Sequence, residues 1–193
     1  MKWVIIAIIA CLVPYTWITL AFRKETPAYE PYQNSKDRAQ VLRLLDAGFQ
    51  RVELTLERLV EPSPLLADSN ATAPLPGGVP PLLRDVLLDQ PPVSSNFSRI
   101  DAPASAWAGA PYIVNFSCTQ PAKDERAETA VLYLRAHEAV FLIGYHELSG
   151  EIQSRRLESL ARVIVPAHTF ASGSYQATLI GALESQRWTF TVH

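Results

Sequence analysis

The chain has 193 residues, a net charge of −2 and a charged fraction of only 19%, so it offers no basic face of the kind nucleic acid requires. Its length accommodates one ordinary domain with an anchor or arm rather than two large domains. Fifteen prolines against eight glycines describe a loop-rich β protein with an extended link, and the two cysteines, Cys11 and Cys118, build no disulfide framework.

Residues 1–22 open the chain with an apolar run that carries no charge between Trp3 and Phe22. About 20 such residues are the length of a membrane-spanning helix. Length and flanks favour an uncleaved single-pass anchor over a cleaved signal or a lipid-modified Cys11. The basic residues Arg23, Lys24, Lys36 and Arg38 beyond the run would hold the large domain in the cytoplasm. The short N-tail resembles the start of an export signal, and on that ground the domain is expected outside, in a periplasmic setting.

Residues 23–60 read as a juxtamembrane unit: a polar spacer, a short helix and a strand. Ser35 offers an N-cap and Gly48 a C-terminal stop, and Ala39, Val41, Leu42 and Leu45 fall on one stripe. From Phe49 the period changes to two, with Val52, Leu54 and Leu56 alternating with Glu53, Thr55 and Glu57. Residues 61–96 form a Pro-rich linker in which PLPGGVPP is expected to continue neither helix nor strand. Pro80 and Pro81 followed by Leu82, Leu83, Val86 and Leu87 predict a short amphipathic helix inside it.

Residues 97–193 alternate as a sandwich should. A first strand at 97–100 leads through a corner at 102–109. Tyr112, Val114, Phe116 and Cys118 then share one face of the next strand. A charged turn at 123–128 precedes strands at 129–135 and 140–147, and 151–157 is a mixed-charge strand or loop. In the closing strands Tyr175, Ala177 and Leu179 point one way, and Trp188, Phe190 and Val192 share a face. The expected core is therefore Tyr112, Val114, Phe116 and Cys118 with Tyr175, Leu179, Trp188 and Phe190.

Chemistry is sparse. Adjacent strand residues face opposite ways, so neither His137-Glu138 nor His146-Glu147 presents both groups together as metal ligands. Cys118 alternates with core residues and reads as a small buried hydrophobe, with no base or oxyanion motif beside it. No nucleophile elbow, phosphate loop, dinucleotide fingerprint or zinc-protease motif occurs, so neither catalysis nor a cofactor is expected. Asn70, Asn96 and Asn115 match glycosylation acceptors, with Asn115 pointing outward on its strand. The stripe Val41, Leu42, Leu45 and the corner residue Trp107 are the candidate partner surface.

Tyr175 stands where the tyrosine corner of an immunoglobulin-like domain would stand, with Ala177 in place of the second cysteine. The ending GSYQATLIGALESQRWTFTV resembles the closing hairpin of bacterial membrane-anchored immunoglobulin-like modules. In plan the chain is similar to oxidase-maturation proteins encoded with nitrogen-fixation loci. The resemblance implies a mainly β fold: an immunoglobulin-like antiparallel β-sandwich behind one transmembrane helix. It carries no site residue. The expected function is a membrane-anchored, non-enzymatic binding or scaffolding protein, with an accessory subunit or assembly factor of a membrane complex as the alternative. Both imply a protein partner.

Overall fold

The computed structural model describes residues 2–21, 31–59, 72–89, 93–94, 96–120, 122–148 and 157–193. Its elements in chain order are helices α1 (Lys2–Ala21) and α2 (Pro31–Asp46), strands β1 (Gln50–Leu59) and β2 (Ala73–Pro76), and the short helix α3 (Pro81–Arg84). Strands β3 (Asn96–Asp101), β4 (Ser105–Ala106), β5 (Tyr112–Thr119), β6 (Glu125–Arg135) and β7 (Glu138–Glu147) follow. Strands β8 (Glu158–Val165), β9 (Gly173–Leu179) and β10 (Glu184–Val192) complete the chain. The contacts group it into two units, Met1–Ser35 and Lys36–His193.

In the first unit, α1 contains Pro14, and Trp3, Leu12, Tyr15 and Trp17 are exposed. Thr16 donates its hydroxyl to the Leu12 carbonyl. Among the described residues no helix is long and apolar enough to cross a membrane. The expected transmembrane anchor and the single-pass membrane location are corrected on that finding, and the periplasmic placement loses the anchor it was read from.

The second unit is mainly β, but it is not a sandwich of two separate antiparallel sheets. The strands of the described residues form one curled sheet, a half-barrel, in the order β2-β10-β9-β7-β6-β1-β8-β5-β3, with β4 on β10. The cause is β1. Its first half pairs with β6, from Gln50 opposite Leu134 to Leu54 opposite Ala130. Its second half turns to β8, from Thr55 opposite Ile164 to Leu59 opposite Leu160. One ten-residue strand thus carries the ladder round the corner between two walls. The sheet is also mixed, because β7–β9 and β10–β4 pair in parallel. The curl brings the start of β3 toward the β9–β10 turn, where the Ala182 N–H donates to the Ser94 carbonyl at 2.7 Å.

The strand expected in the juxtamembrane unit is therefore a central strand of the same body. Part of the Pro-rich link, within 72–89, also forms regular structure that its composition does not imply. Ala73–Pro76 lies along β10 as an edge strand, where a residue lacking an N–H is tolerated. Gly77 then passes so close to the Ala182 carbonyl that any Cβ would collide with it. The expected charged turn at 123–128 is partly strand, since β6 starts at Glu125 and pairs with β7 from there. The mixed-charge stretch at 151–156 and the acceptor Asn70 lie outside the described residues.

Two cores result. Inside the curl, Tyr112, Val114, Phe116 and Cys118 of β5 meet Tyr175 and Leu179 of β9 and Trp188 and Phe190 of β10, all buried. The Tyr112 ring stacks on Phe190 at 4.4 Å, and Trp188 Nε1 donates to the Tyr112 hydroxyl at 3.0 Å. The Tyr175 hydroxyl accepts the Ala171 N–H at 3.1 Å, closing the corner that leads into β9. Outside the curl, Leu44 of α2 and Leu83 of α3 cover Tyr133, Val140, Leu142 and Ile180.

Helix α2 seats Leu44 on the sheet at 2% exposure while Leu42, two residues earlier, is 61% exposed. Lys36 pairs with Asp89, and Gln40 accepts the Leu88 N–H at 2.7 Å, fixing this rotation. The helix ends in a Schellman turn: Gly48 sits at φ +76°, its N–H bonds to Leu45, and the Phe49 N–H bonds to Leu44.

Candidate functional site

The turn of β1 from one partner to the other leaves an opening. Beyond Leu54, residues 55–59 pair only with β8, and beyond Ala130, residues 125–129 pair only with β7 among the described residues. The two strands splay like a seam, and a cleft of about 320 Å3 lies between them. That is the low end of the size range of ligand pockets.

Strand alternation gives the cleft two kinds of wall. Leu56, Ala127, Ser159, Ala161 and Gln120 form its floor, and the first four lie on the strand phases that point into the curl. Around the mouth stand Glu57, Arg58, Arg126, Glu128, His146 and Glu147. Glu57 is partly engaged by Arg162, 4.0 Å away, and Arg162 Nε in turn donates to Asn115 Oδ1 at 2.9 Å. Asn115 thus points away from the inner core as expected, yet it is buried under this pairing.

Beneath the floor lies a small polar cluster at the end of the apolar core. Tyr145 donates its hydroxyl to Cys118 Sγ at 3.3 Å, and Cys118 Sγ lies 3.3 Å from Ser159 Oγ. Burial foremost, reinforced by the Cys118 thiol beside it, holds the Tyr145 phenol far above its ordinary range. The phenol is therefore neutral at physiological pH. Cys118 is as buried as its alternation implies, and it also carries polar contacts that alternation could not reveal.

Among the described residues, two polar atoms near this end of the curl lack partners. Gln120 is 2% exposed, and its Oε1 accepts no hydrogen bond; a carboxylate oxygen of Glu125, Oε2, is likewise buried and unpartnered. A buried acceptor without a donor costs about 1–3 kcal/mol, so both positions are primed for an incoming donor. Gln120 follows β5 in the inward phase of Cys118, one polar residue at the end of an apolar alternation. That was the only sequence signal of the site, and it becomes readable once β1 is known to split.

The other candidate residues lie elsewhere. Val41, Leu42 and Leu45 line the exposed side of α2, and Trp107 is 70% exposed with its ring 5.6 Å from that of His193. Neither group borders the cleft. His137 packs its ring on Tyr175 at 5.2 Å, away from His146 at the cleft mouth. Among the described residues no group of three or more His, Cys, Asp or Glu could hold a metal ion.

No protein-family model matches this chain. No curated protein and no solved structure matches it either.

Proposed function

We infer that this chain is a non-catalytic binding protein and that the seam between β1 and β6 receives its protein partner. The observation that carries this reading is the cleft itself, where a semi-apolar floor with a buried amide oxygen unpartnered among the described residues opens between two strand segments that do not pair with each other, under a charged mouth. Sites of this make-up suit recognition, because the apolar floor supplies burial and the few polar groups supply orientation. The polar cluster behind the floor favours binding over chemistry: its phenol is held neutral and its thiol is buried.

The test is photo-crosslinking in cells that express the full chain. Benzoylphenylalanine replacing Arg58 at the cleft mouth should give a discrete protein adduct. The same group replacing Gln176, exposed on β9, should not. An absent adduct at position 58, or an identical adduct at both positions, overturns the reading.

A second reading, an accessory subunit or assembly factor, is favoured by one observation: Val41, Leu42 and Leu45 remain exposed together on α2. An apolar helix stripe facing water suits a partner surface. In this reading Leu42→Asp with Leu45→Asp dissociates a co-purifying complex, and an unchanged complex rejects it.

A further inference from the structure

Two strands that part company each keep one edge that is open among the described residues. Residues 55–59 of β1 run against β8 without a register break, so their far edge is a regular row of main-chain donors and acceptors. The matching stretch of β6 is different. Its register against β7 shifts between Ala127 and Thr129, and a bulge of this kind disrupts a ladder and discourages further pairing. Of the two edges, only that of β1 is shaped to take another strand.

The interior end of the seam adds a chemical preference. Gln120 Oε1, in the floor, is a buried acceptor with no donor among the described residues. At the mouth, the carboxylates of Glu128 and Glu147 stand with Glu57, which Arg162 engages in part, beside the guanidinium groups of Arg58 and Arg126. A side chain entering here passes carboxylates at the mouth and meets a buried acceptor at depth. Long cationic side chains fit both requirements, since their stems tolerate apolar walls and their heads carry only donors.

We propose that the cleft takes an extended peptide segment of its partner, which adds as a strand to the open edge of β1 at 55–59 and passes a lysine or arginine side chain through the seam toward Gln120. Strand addition supplies affinity through the main chain, and the pocket for an alternate side chain supplies selectivity. This inference rests on the cleft being the binding site and specifies what enters it.

The experiment uses the purified full chain and blocked pentapeptides of the form threonine-valine-X-valine-threonine, with X lysine, arginine or glutamate. Fluorescence anisotropy gives affinity and amide chemical shifts give location. The lysine and arginine peptides should bind, with shifts concentrated at 55–59 and Gln120, and the glutamate peptide should bind at least about tenfold more weakly. N-methylation of the peptide amides should abolish binding. Gln120→Leu should weaken the lysine peptide by about tenfold, the loss of one charge-assisted hydrogen bond. If Gln120→Leu fails to fold, Glu128→Arg, at an exposed mouth position, should still weaken the lysine and arginine peptides against the glutamate peptide. Equal binding of all three peptides, or shifts remote from β1, overturns the proposal. Failure of all peptides while the position-58 adduct persists also overturns strand addition but leaves the binding reading intact. Loss of the adduct as well removes both.

Discussion

At the scale of single residues, the aromatic cluster concentrates the stability of the inner core. Trp188 is buried, stacks with Phe141 at 5.6 Å and donates to Tyr112, so Trp188→Ala forfeits packing and a hydrogen bond together. It should cost about 3–5 kcal/mol by chemical denaturation, a large share of the stability of a domain this size. Tyr175→Phe keeps the ring and leaves the Ala171 N–H without its acceptor, and should cost about 1–3 kcal/mol in the same assay. The buried phenols make a second prediction. Burial, which disfavours phenolate, holds Tyr112 and Tyr145 well above the ordinary phenol value of about 10. In the unfolded chain they ionise near that ordinary value, so below it their contribution is complete. Stability then falls as pH climbs above about 10, because the unfolded state releases protons that the folded state retains. Phenolate absorbance from these two residues should therefore appear together with loss of the circular dichroism signal. Early ionisation in an intact fold would refute their burial.

At the scale of elements, α2 shows that an apolar stripe in sequence is not always the buried one. Val41, Leu42 and Leu45 share a face, yet the helix rests on Leu44 with Gln40 and Ala47 beside it. Leu44→Ala should cost about 2–5 kcal/mol, as core leucine truncations do. Leu42→Asp with Leu45→Asp should change unfolding midpoints by only about 0.5 kcal/mol per site, as surface substitutions do. Equal destabilisation by both sets would mean the helix is rotated from the orientation described. What decided the rotation was the pairing of Lys36 with Asp89 and of Gln40 with the Leu88 N–H. Those contacts join segments about fifty positions apart, so no local pattern could announce them. The strand alternation was more informative. Tyr112, Val114, Phe116 and Cys118, and later Tyr175, Leu179, Trp188 and Phe190, all occupy the inner core that their period of two implied.

At the scale of the whole molecule, β1 closes what would otherwise be two sheets, because it alone pairs with both β6 and β8. A fragment of residues 97–193 would expose one edge of each wall and leave Leu54 and Leu56 out of the core. It should fail to fold, whereas residues 36–193 should unfold in one cooperative transition followed by circular dichroism and intrinsic fluorescence. A folded 97–193 fragment would mean that β1 adds to a domain already complete without it.

By itself, the sequence determined the mainly β character of the chain, the faces of its core strands and the glycine stop after α2. Each depends on side-chain period or backbone freedom within a few residues. Only the tertiary structure decided that the ladder is one curled, mixed sheet instead of an immunoglobulin-like sandwich, and that β2 forms from a proline-rich stretch. It also decided that β1 splits to open a cleft over Gln120. The reason is that strand order and strand divergence are properties of pairing between distant segments. A residue's period records which face it presents, and carries no information about which strand will lie beside it.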